Sequence, residues 1–518
     1  MTTFRSVRWV LLVALLGGAC SSILGIEDIH DGPDPNDGEG GETGSGGSSS
    51  GKGGASGTSG ASGASGSAGK GGSSGASGGT DTGGTGGDAG GGGTGGDGTG
   101  GTTGGTGGGG DDPTVHGRII TTWNQPVPNV TVMIGDAEAD TNANGEFEIP
   151  DVADTYDVKF VLNYDVYGNS RTYAWAYLGL TRRDPALQVY NGLPLRSGDI
   201  GVTPTGLTGT DFSNRQLNMA LGSPDGMNSY EVSLPAGIGS SGATWQGPET
   251  TNVTAHGLLF EHDANGQPTV YRSYTQVLGV LSETDAAMFV LDVPDETVPG
   301  GTVAGTVTST TSSDRTNYVY LRFESHAAMQ LVEHYGSTLN PASFTYPVPN
   351  VQGGSIEVGA VEGTWSRGPA AVAHRDRLAT GQMDVALQIP VPSQQVAPAD
   401  GLTGVDGTTI FSWTSQAQTF VWAAENVEPS SPYGGMFIVT AEKRVSIPAF
   451  TNGFTLLPGD LYEWRIQSHG NVASVDELAD PDTGGFDSWA PFPDGPQNPK
   501  RGDGSYTISD GRIFTTAP

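Results

Sequence analysis

Two textures divide this chain at Val115. Between Ile29 and Val115 there is no Val, Ile, Leu, Met, Phe, Tyr or Trp, and the run from Gly38 to about Asp112 is mostly Gly, Ser, Thr and Ala. Such a stretch has nothing with which to build a core, so the entropy of ordering it goes uncompensated and it reads as flexible coil. A coil of that length spans roughly 45–50 Å on average. After Val115 the pattern becomes short β-type runs separated by Gly, Pro, Asn and Asp, with almost no helical periodicity. Strands spaced near ten residues with turn signals between them predict an all-β body of tandem sandwiches.

The runs fall into four units. In 113–195, Val130, Val132 and Ile134 alternate with other residues to give one mainly β-branched face, and Asn144-Gly145 predicts a hairpin turn. In 196–297 the strands are SYEVSLP, TAHGLLFEHD, TVYRSYTQVLGVL and AMFVLDV, with Asn265-Gly266 turning between the second and third. The unit 298–392 contains NYVYLRFES, where Val319, Leu321 and Phe323 make the expected core face and Tyr318, Tyr320 and Arg322 the other. In 393–518, Phe411 and Trp413 alternate on one strand, and Tyr462, Trp464 and Ile466 oppose Glu463, Arg465 and Gln467 on a later one. The openings VHG, LTG and VAG echo one another, but in a glycine-rich chain that echo does not establish a repeat.

Composition narrows the partners. The 518 residues include 85 Gly and one Cys and carry a formal charge of −33, with acidic excess in the body as well as the glycine tract. Nucleic-acid binding rests on neutralising phosphates with basic residues, so nucleic acid is excluded as an expected partner. About 400 residues remain beyond the tract, ample for several cores of about 100 residues.

The first 19 residues read as a signal peptide. Arg5 and Arg8 precede the apolar run Trp9–Leu16, which is too short for a bilayer span of about 20 residues. Gly17, Gly18 and Ala19 lead to Cys20, the sole cysteine, and this resembles the lipobox of bacterial lipoproteins. Gly17 stands where that motif usually has Leu. The resemblance implies diacylglycerol on Cys20 and, with Ser21 next, an outer-membrane, surface-exposed location; cleavage after Ala19 as an ordinary secretory signal is the alternative. Residues 20–112 are then a lipidated N-terminus and linker. The segment SSILGIEDIHDGPDPNDG followed by a glycine tract resembles myxobacterial-type surface lipoproteins.

Two further resemblances concern the body. Val115, Gly117, Pro126-Val127, Val130, Val132, Thr141 and Asn144-Gly145-Glu146-Phe147 resemble the carboxypeptidase regulatory-like domain, a transthyretin-like sandwich of seven strands. That family is structural or adhesive and brings no catalytic residues. The 393–518 unit, through Phe411, Trp413, Tyr462 and Trp464, is similar to fibronectin type III-like sandwiches, but carries the long insertion DPDTGGFDSWAPFPDGPQNPK.

A search for chemistry yields little. Asp140, Asn142, Asn144 and Gly145 match the opening of a calcium loop, but Asp151 stands where the bidentate Glu belongs and strand alternation continues through Phe147 and Ile149. Gly46, Gly51 and Lys52 have P-loop spacing without its Ser/Thr, its strand or its helix. His326 and His334 read as surface or half-buried groups, the charged cluster His374-Arg375-Asp376 reads as a solvated loop in preference to an acid–base site, and Arg501-Gly502-Asp503 spells an integrin tripeptide expected by chance. Trp245 and Trp489 sit in loop-like contexts and are the candidate binding residues, since an exposed indole can stack on a sugar or anchor a protein. The expectation is a non-enzymatic surface lipoprotein without cofactor, its modules serving adhesion, matrix or glycan binding, or scaffolding. The alternative is a surface or secreted hydrolase, or hydrolase accessory, with its site in 196–392.

Overall fold

The computed structural model describes residues 113–518, apart from 123, 167–168, 191–192, 224–225, 312–314, 338, 364–368, 429–430, 451–452 and 487–502. The fold is all-β, with one short helix, Val475–Leu478, among the described residues. Cys20 and Trp489 lie outside the described residues, as do the glycine tract and its P-loop-like triplet.

The first module begins with Val115–Thr121, Thr131–Ile134, Ala137–Asp140 and Glu146–Ile149. It continues with Tyr156–Val166, Asn169–Leu180 and Ala186–Val189. The first strand pairs antiparallel with the fourth and parallel with the seventh, and the remaining strands form a second sheet in the order third, second, fifth, sixth. Alternation explains the packing. Val132, Phe147, Ile149, Val158 and Phe160 all point inward and are buried. The Asn144-Gly145 turn differs from the expected hairpin. Its backbone closes tightly, with Asn142 N donating to Glu146 O at 2.9 Å, but the strands on either side separate into opposite sheets. Gly145 is required there, because its φ is +72° and a Cβ would strike the Ile119 carbonyl.

The same topology occurs twice more. In the second module the strands are Leu195–Thr205, Arg215–Ser223, Gly226–Val232, Ile238–Gln246, Thr250–His262, Pro268–Ser282 and Ala287–Asp292. The third has Gly300–Thr308, Arg315–Phe323, Ala328–Ser337, Ala342–Pro349, Gly354–Gly363, Ala370–Leu378 and Val385–Gln388. In both, the sheets are again fourth–first–seventh and third–second–fifth–sixth, with the first and seventh strands parallel. Even a packing detail repeats: an aromatic of the fourth strand lies over a glycine of the first. Phe147 covers Gly117, Phe344 covers Gly305 and Trp245 reaches Gly198. The VHG and VAG openings are therefore equivalent positions, Gly117 opposite Phe147 and Gly305 opposite Phe344. Leu207-Thr208-Gly209 follows the second module's first strand and has no such role.

In the C-terminal module Gln394–Ala397, Ile410–Thr414 and Arg444–Ser446 make one sheet. Tyr433–Thr440, Thr419–Asn426 and Leu461–His469 lie side by side in the other, where the last of them pairs with both Gly504–Ile508 and Arg512–Thr516. Phe411, Trp413, Trp422, Tyr462, Trp464 and Phe514 fill the core between them.

The modules are joined through their sheets. The first module's sixth strand pairs parallel with Tyr433–Thr440, and the third module's sixth strand pairs antiparallel with Gly504–Ile508. One sheet of fourteen strands therefore passes through the first, third and C-terminal modules. One face of its first-module end carries Phe160, Trp175 and Tyr177, continued by Phe437, Val439 and Val421 of the C-terminal module. Ala174 and Ala176 face the other way, with Trp422 and Ile438. The helix Val475–Leu478 packs on the first of these cores, capped by Ser474 Oγ accepting from Glu477 N. Asp476 ties it down by accepting from Thr181 N at 2.8 Å and Arg182 N at 3.0 Å. The second and third modules also share a core, where Leu258, Phe260 and Tyr271 meet Val319, Leu321 and Met329.

Candidate functional site

The charged residues of the third module converge on one sheet face. Tyr318, Tyr320 and Arg322 alternate along its second strand, with Glu357 on its fifth and His374 on its sixth. Val319, Leu321 and Phe323 fill the core as expected, but the opposite face is closed too: Tyr318, Tyr320, Glu357 and His374 are all buried. Burying the Glu357 carboxylate would be costly without compensation. Arg322 Nε donates to its Oε2 at 2.5 Å, and the Tyr318 hydroxyl donates to the same carboxylate. Burial opposes the Arg322 charge, but Glu357 outweighs it and holds the guanidinium above its usual range. Burial, and then the neighbouring Glu357 charge, push the Asp376 carboxyl up. Tyr318 titrates far above a normal phenol, through burial first and Glu357 second.

His374 stands between two glycines, Gly359 and Gly504, across the strands on either side. Both positions exclude a Cβ, because the Tyr318 ring lies over Gly359 and the His374 ring lies over Gly504. The imidazole Nδ1 is 3.9 Å from Glu357 Oε1, and neither ring nitrogen has a hydrogen-bond partner among the described residues. The group His374-Arg375-Asp376, expected in a solvated loop, is therefore part of a strand. Its two outer members join a buried ionisable cluster, and Arg375 faces outward to pair with Asp503. Reading the strand alternation Ala370–Leu378 against Glu357 and Arg322 would have found this cluster; the charged string AHRDR concealed it.

A second buried group lies where the first and C-terminal modules meet. Arg465 Nη2 is 2.6 Å from Glu463 Oε1, and the Tyr190 hydroxyl donates to Gln467 Oε1 at 3.3 Å. Burial pushes the nearby Glu425 carboxyl up to about 8, against the attraction of Arg465. The face Glu463, Arg465 and Gln467, expected to be the polar side of its strand, is buried. At the junction of the third and C-terminal modules a cleft of about 460 Å³ is lined in part by Glu362, Gln394, Gln395, Asp510 and Arg512, with Ala371, Val391 and Pro392 among its apolar walls. Two of its charges are already engaged: Glu362 Oε2 accepts from Ser309 Oγ at 2.6 Å, and Arg512 donates to the carbonyls of Gln395 and Pro398.

The remaining candidates fall as follows. Trp245 is not in a loop. It belongs to the strand Ile238–Gln246, is 2% exposed, and donates its indole N–H to the Pro248 carbonyl at 2.7 Å. It is the fourth-strand core aromatic of its module, the counterpart of Phe147 and Phe344, so it presents no stacking surface. At the calcium-like turn Asn142 Oδ1 accepts from Asn144 N and Glu146 N, while Asp140 Oδ1 accepts from Thr131 Oγ1. Those side chains hold the turn itself. His326 is half-buried in a turn and His334 is exposed on a strand. Asp503 of the integrin tripeptide is engaged by Arg375; Arg501 and Gly502 lie outside the described residues. Among the described residues no three His, Cys, Asp or Glu side chains are grouped so as to hold a metal ion.

No family model matches the chain, and no curated protein matches it. Solved structures with partial similarity include the Bacillus anthracis TIE protein, at 10% identity over 54% of this chain and 50% of that one, with a TM-score of 0.14. A leucine-rich repeat protein from Bacteroides thetaiotaomicron matches at 9% identity over 38% of this chain and 26% of that one, TM-score 0.15. The pilus adhesin SpaC from Lactobacillus rhamnosus GG matches at 8% identity over 71% and 49%, TM-score 0.13. The chain thus spans half or less of the length of each of these structures, and at such TM-scores the likeness carries no argument about function.

Proposed function

We propose that the chain is a cell-surface lipoprotein whose fused β-sandwich modules form a non-enzymatic binding or scaffolding body for a glycan or protein of the cell exterior. One observation carries the reading: among the described residues the buried ionisable clusters are closed inside module junctions and sheet interiors, and Glu362 and Arg512 in the cleft are already bonded to protein groups. A body joined by continuous sheets suits the presentation of loops and edges, where binding residues are placed without disturbing cores. The first module's three and four strands in two sheets support the carboxypeptidase regulatory-like reading, and the aromatic core between the last module's two sheets supports the fibronectin type III-like one. Cys20 would carry the lipid and the glycine tract would hold the body away from the membrane; more than one acyl chain gives stable anchoring. Trp489 remains the first binding candidate outside the described residues.

The test pairs the two readings. Purified protein should bind surface polysaccharide or matrix from the producing cell and leave its size distribution unchanged. Turnover of that material, lost in Glu357→Gln, would replace this proposal with a hydrolase centred on Glu357, His374 and Asp376. For the anchor, Cys20→Ala should abolish incorporation of a fatty-acid analogue; equal labelling of both proteins would rule it out.

A further inference from the structure

We propose that the second module's sixth strand, from Thr275 to Ser282, pairs edge to edge with the same strand of a second copy of this chain. The repeat makes this edge conspicuous. In the first module the sixth strand is covered by a strand of the C-terminal module, Trp175 standing opposite Phe437, and in the third Ala373 stands opposite Ser505. The corresponding part of the second module has Thr250–His262 on one side and, among the described residues, no strand on the other. Earlier in the same strand the Tyr271 carbonyl already accepts from Val298 N, so the open stretch is its later half.

Up to Leu281 that half lacks the usual protections of an edge; at its end the Ser282 carbonyl lies against Gly198 of the module's first strand. Thr275–Ser282 contains no charge and no proline, and its two register shifts lie earlier, beyond Ser273, so it runs regularly beside its neighbour. Leu278 is 78% exposed and Val280 52% exposed, both on the face away from the module core. Its sequence is nearly symmetric about Gly279. An antiparallel two-fold pair centred there sets Leu278 against the mate's Val280 and Val277 against Leu281. Two copies of a chain carrying −33 repel, and an uncharged edge is where they approach at least cost. Other segments of the same chain are poorer occupants. The glycine tract has no apolar side chain larger than Ala to set against Leu278, and 487–502 contains four prolines, which cannot donate to a ladder. This inference stands apart from the ligand-binding proposal.

Sedimentation equilibrium on residues 21–518, which keep every described residue, should show a concentration-dependent dimer. Leu278→Lys with Val280→Lys should weaken it at least 100-fold, with unchanged circular dichroism and thermal midpoint. Because Cys20 is the sole cysteine, residues 21–518 contain none, and Leu278→Cys with Val280→Cys should give an interchain disulfide under mild oxidation. A monomer throughout overturns the proposal and leaves the edge to a strand from another protein. A dimer that survives the lysine pair, or one lost on deleting residues 21–112, overturns it as well.

Discussion

At the scale of the residue, the clearest pH-sensitive element is a histidine at a module junction. His256 is buried, stacked on Phe323 with ring centres 3.8 Å apart, and its Nδ1 and Nε2 meet the hydroxyls of Tyr274 and Ser325 at 2.9 and 2.7 Å. Burial lowers its pKa from 6.5 to about 4. The folded state thus prefers the neutral ring, so its contribution to stability is complete above pH 6.5. It is lost as pH falls toward 4, because the unfolded chain takes the proton first. The expected loss is about 3 kcal/mol. Thermal unfolding from pH 7 to 4 should show this component in the wild type and lack it in His256→Gln, with the general acid titration common to both. Nothing in the sequence marks His256, since its partner Ser325 lies 69 residues away in another module. His374 escaped for a related reason: its environment is set by Glu357 and Gly504 on separate strands. Trp245 failed in the opposite direction, its Gly- and Pro-rich flanks suggesting a loop around a core position.

At the scale of the element, strands were legible wherever alternation and turn residues agreed. The runs around Val130–Ile134, Val319–Phe323, Phe411–Trp413 and Tyr462–Ile466 all place the expected residues in cores. What alternation could not tell is whether the second face of a strand meets water or another module, and here several meet a module. It also could not show that the three modules share a strand order, because what they share is topology and one glycine–aromatic contact. That contact makes a prediction. At Gly305 a Cβ would strike the Val385 carbonyl and stand 2.8 Å from the Phe344 ring, whereas at Gly242 nothing lies within 4 Å. Gly305→Ala should therefore cost about 1–3 kcal/mol, as overpacking against fixed backbone does. Gly242→Ala should change stability by less than about 0.5 kcal/mol. Urea unfolding of both variants measures the contrast; equal effects would mean that the first-strand glycine is not a packing requirement.

At the scale of the whole molecule, the question is whether the modules behave as separate beads or as one body. The sheet contacts argue for one body. Phe437, Val421, Val439, Val475, Leu478 and Phe486 belong to the C-terminal part of the chain, yet they are buried in the core built around Trp175 and Phe160. Removing residues 113–195 would uncover these side chains and free the strand Tyr433–Thr440 along the edge it shares with Asn169–Leu180. At roughly 1.5–3 kcal/mol per large side chain, the loss is on the order of 10 kcal/mol. A typical domain has only about 5–15 kcal/mol in total. A chain of residues 196–518 should therefore show weakened near-ultraviolet dichroism from Trp422 and Trp464, and its C-terminal module should be cut rapidly by a protease of broad specificity. The second module, whose core of Met219, Leu259 and Phe289 is its own, should remain resistant. If the C-terminal module of that shortened chain melts as it does in the intact protein, the shared sheet contributes little and the modules are beads after all.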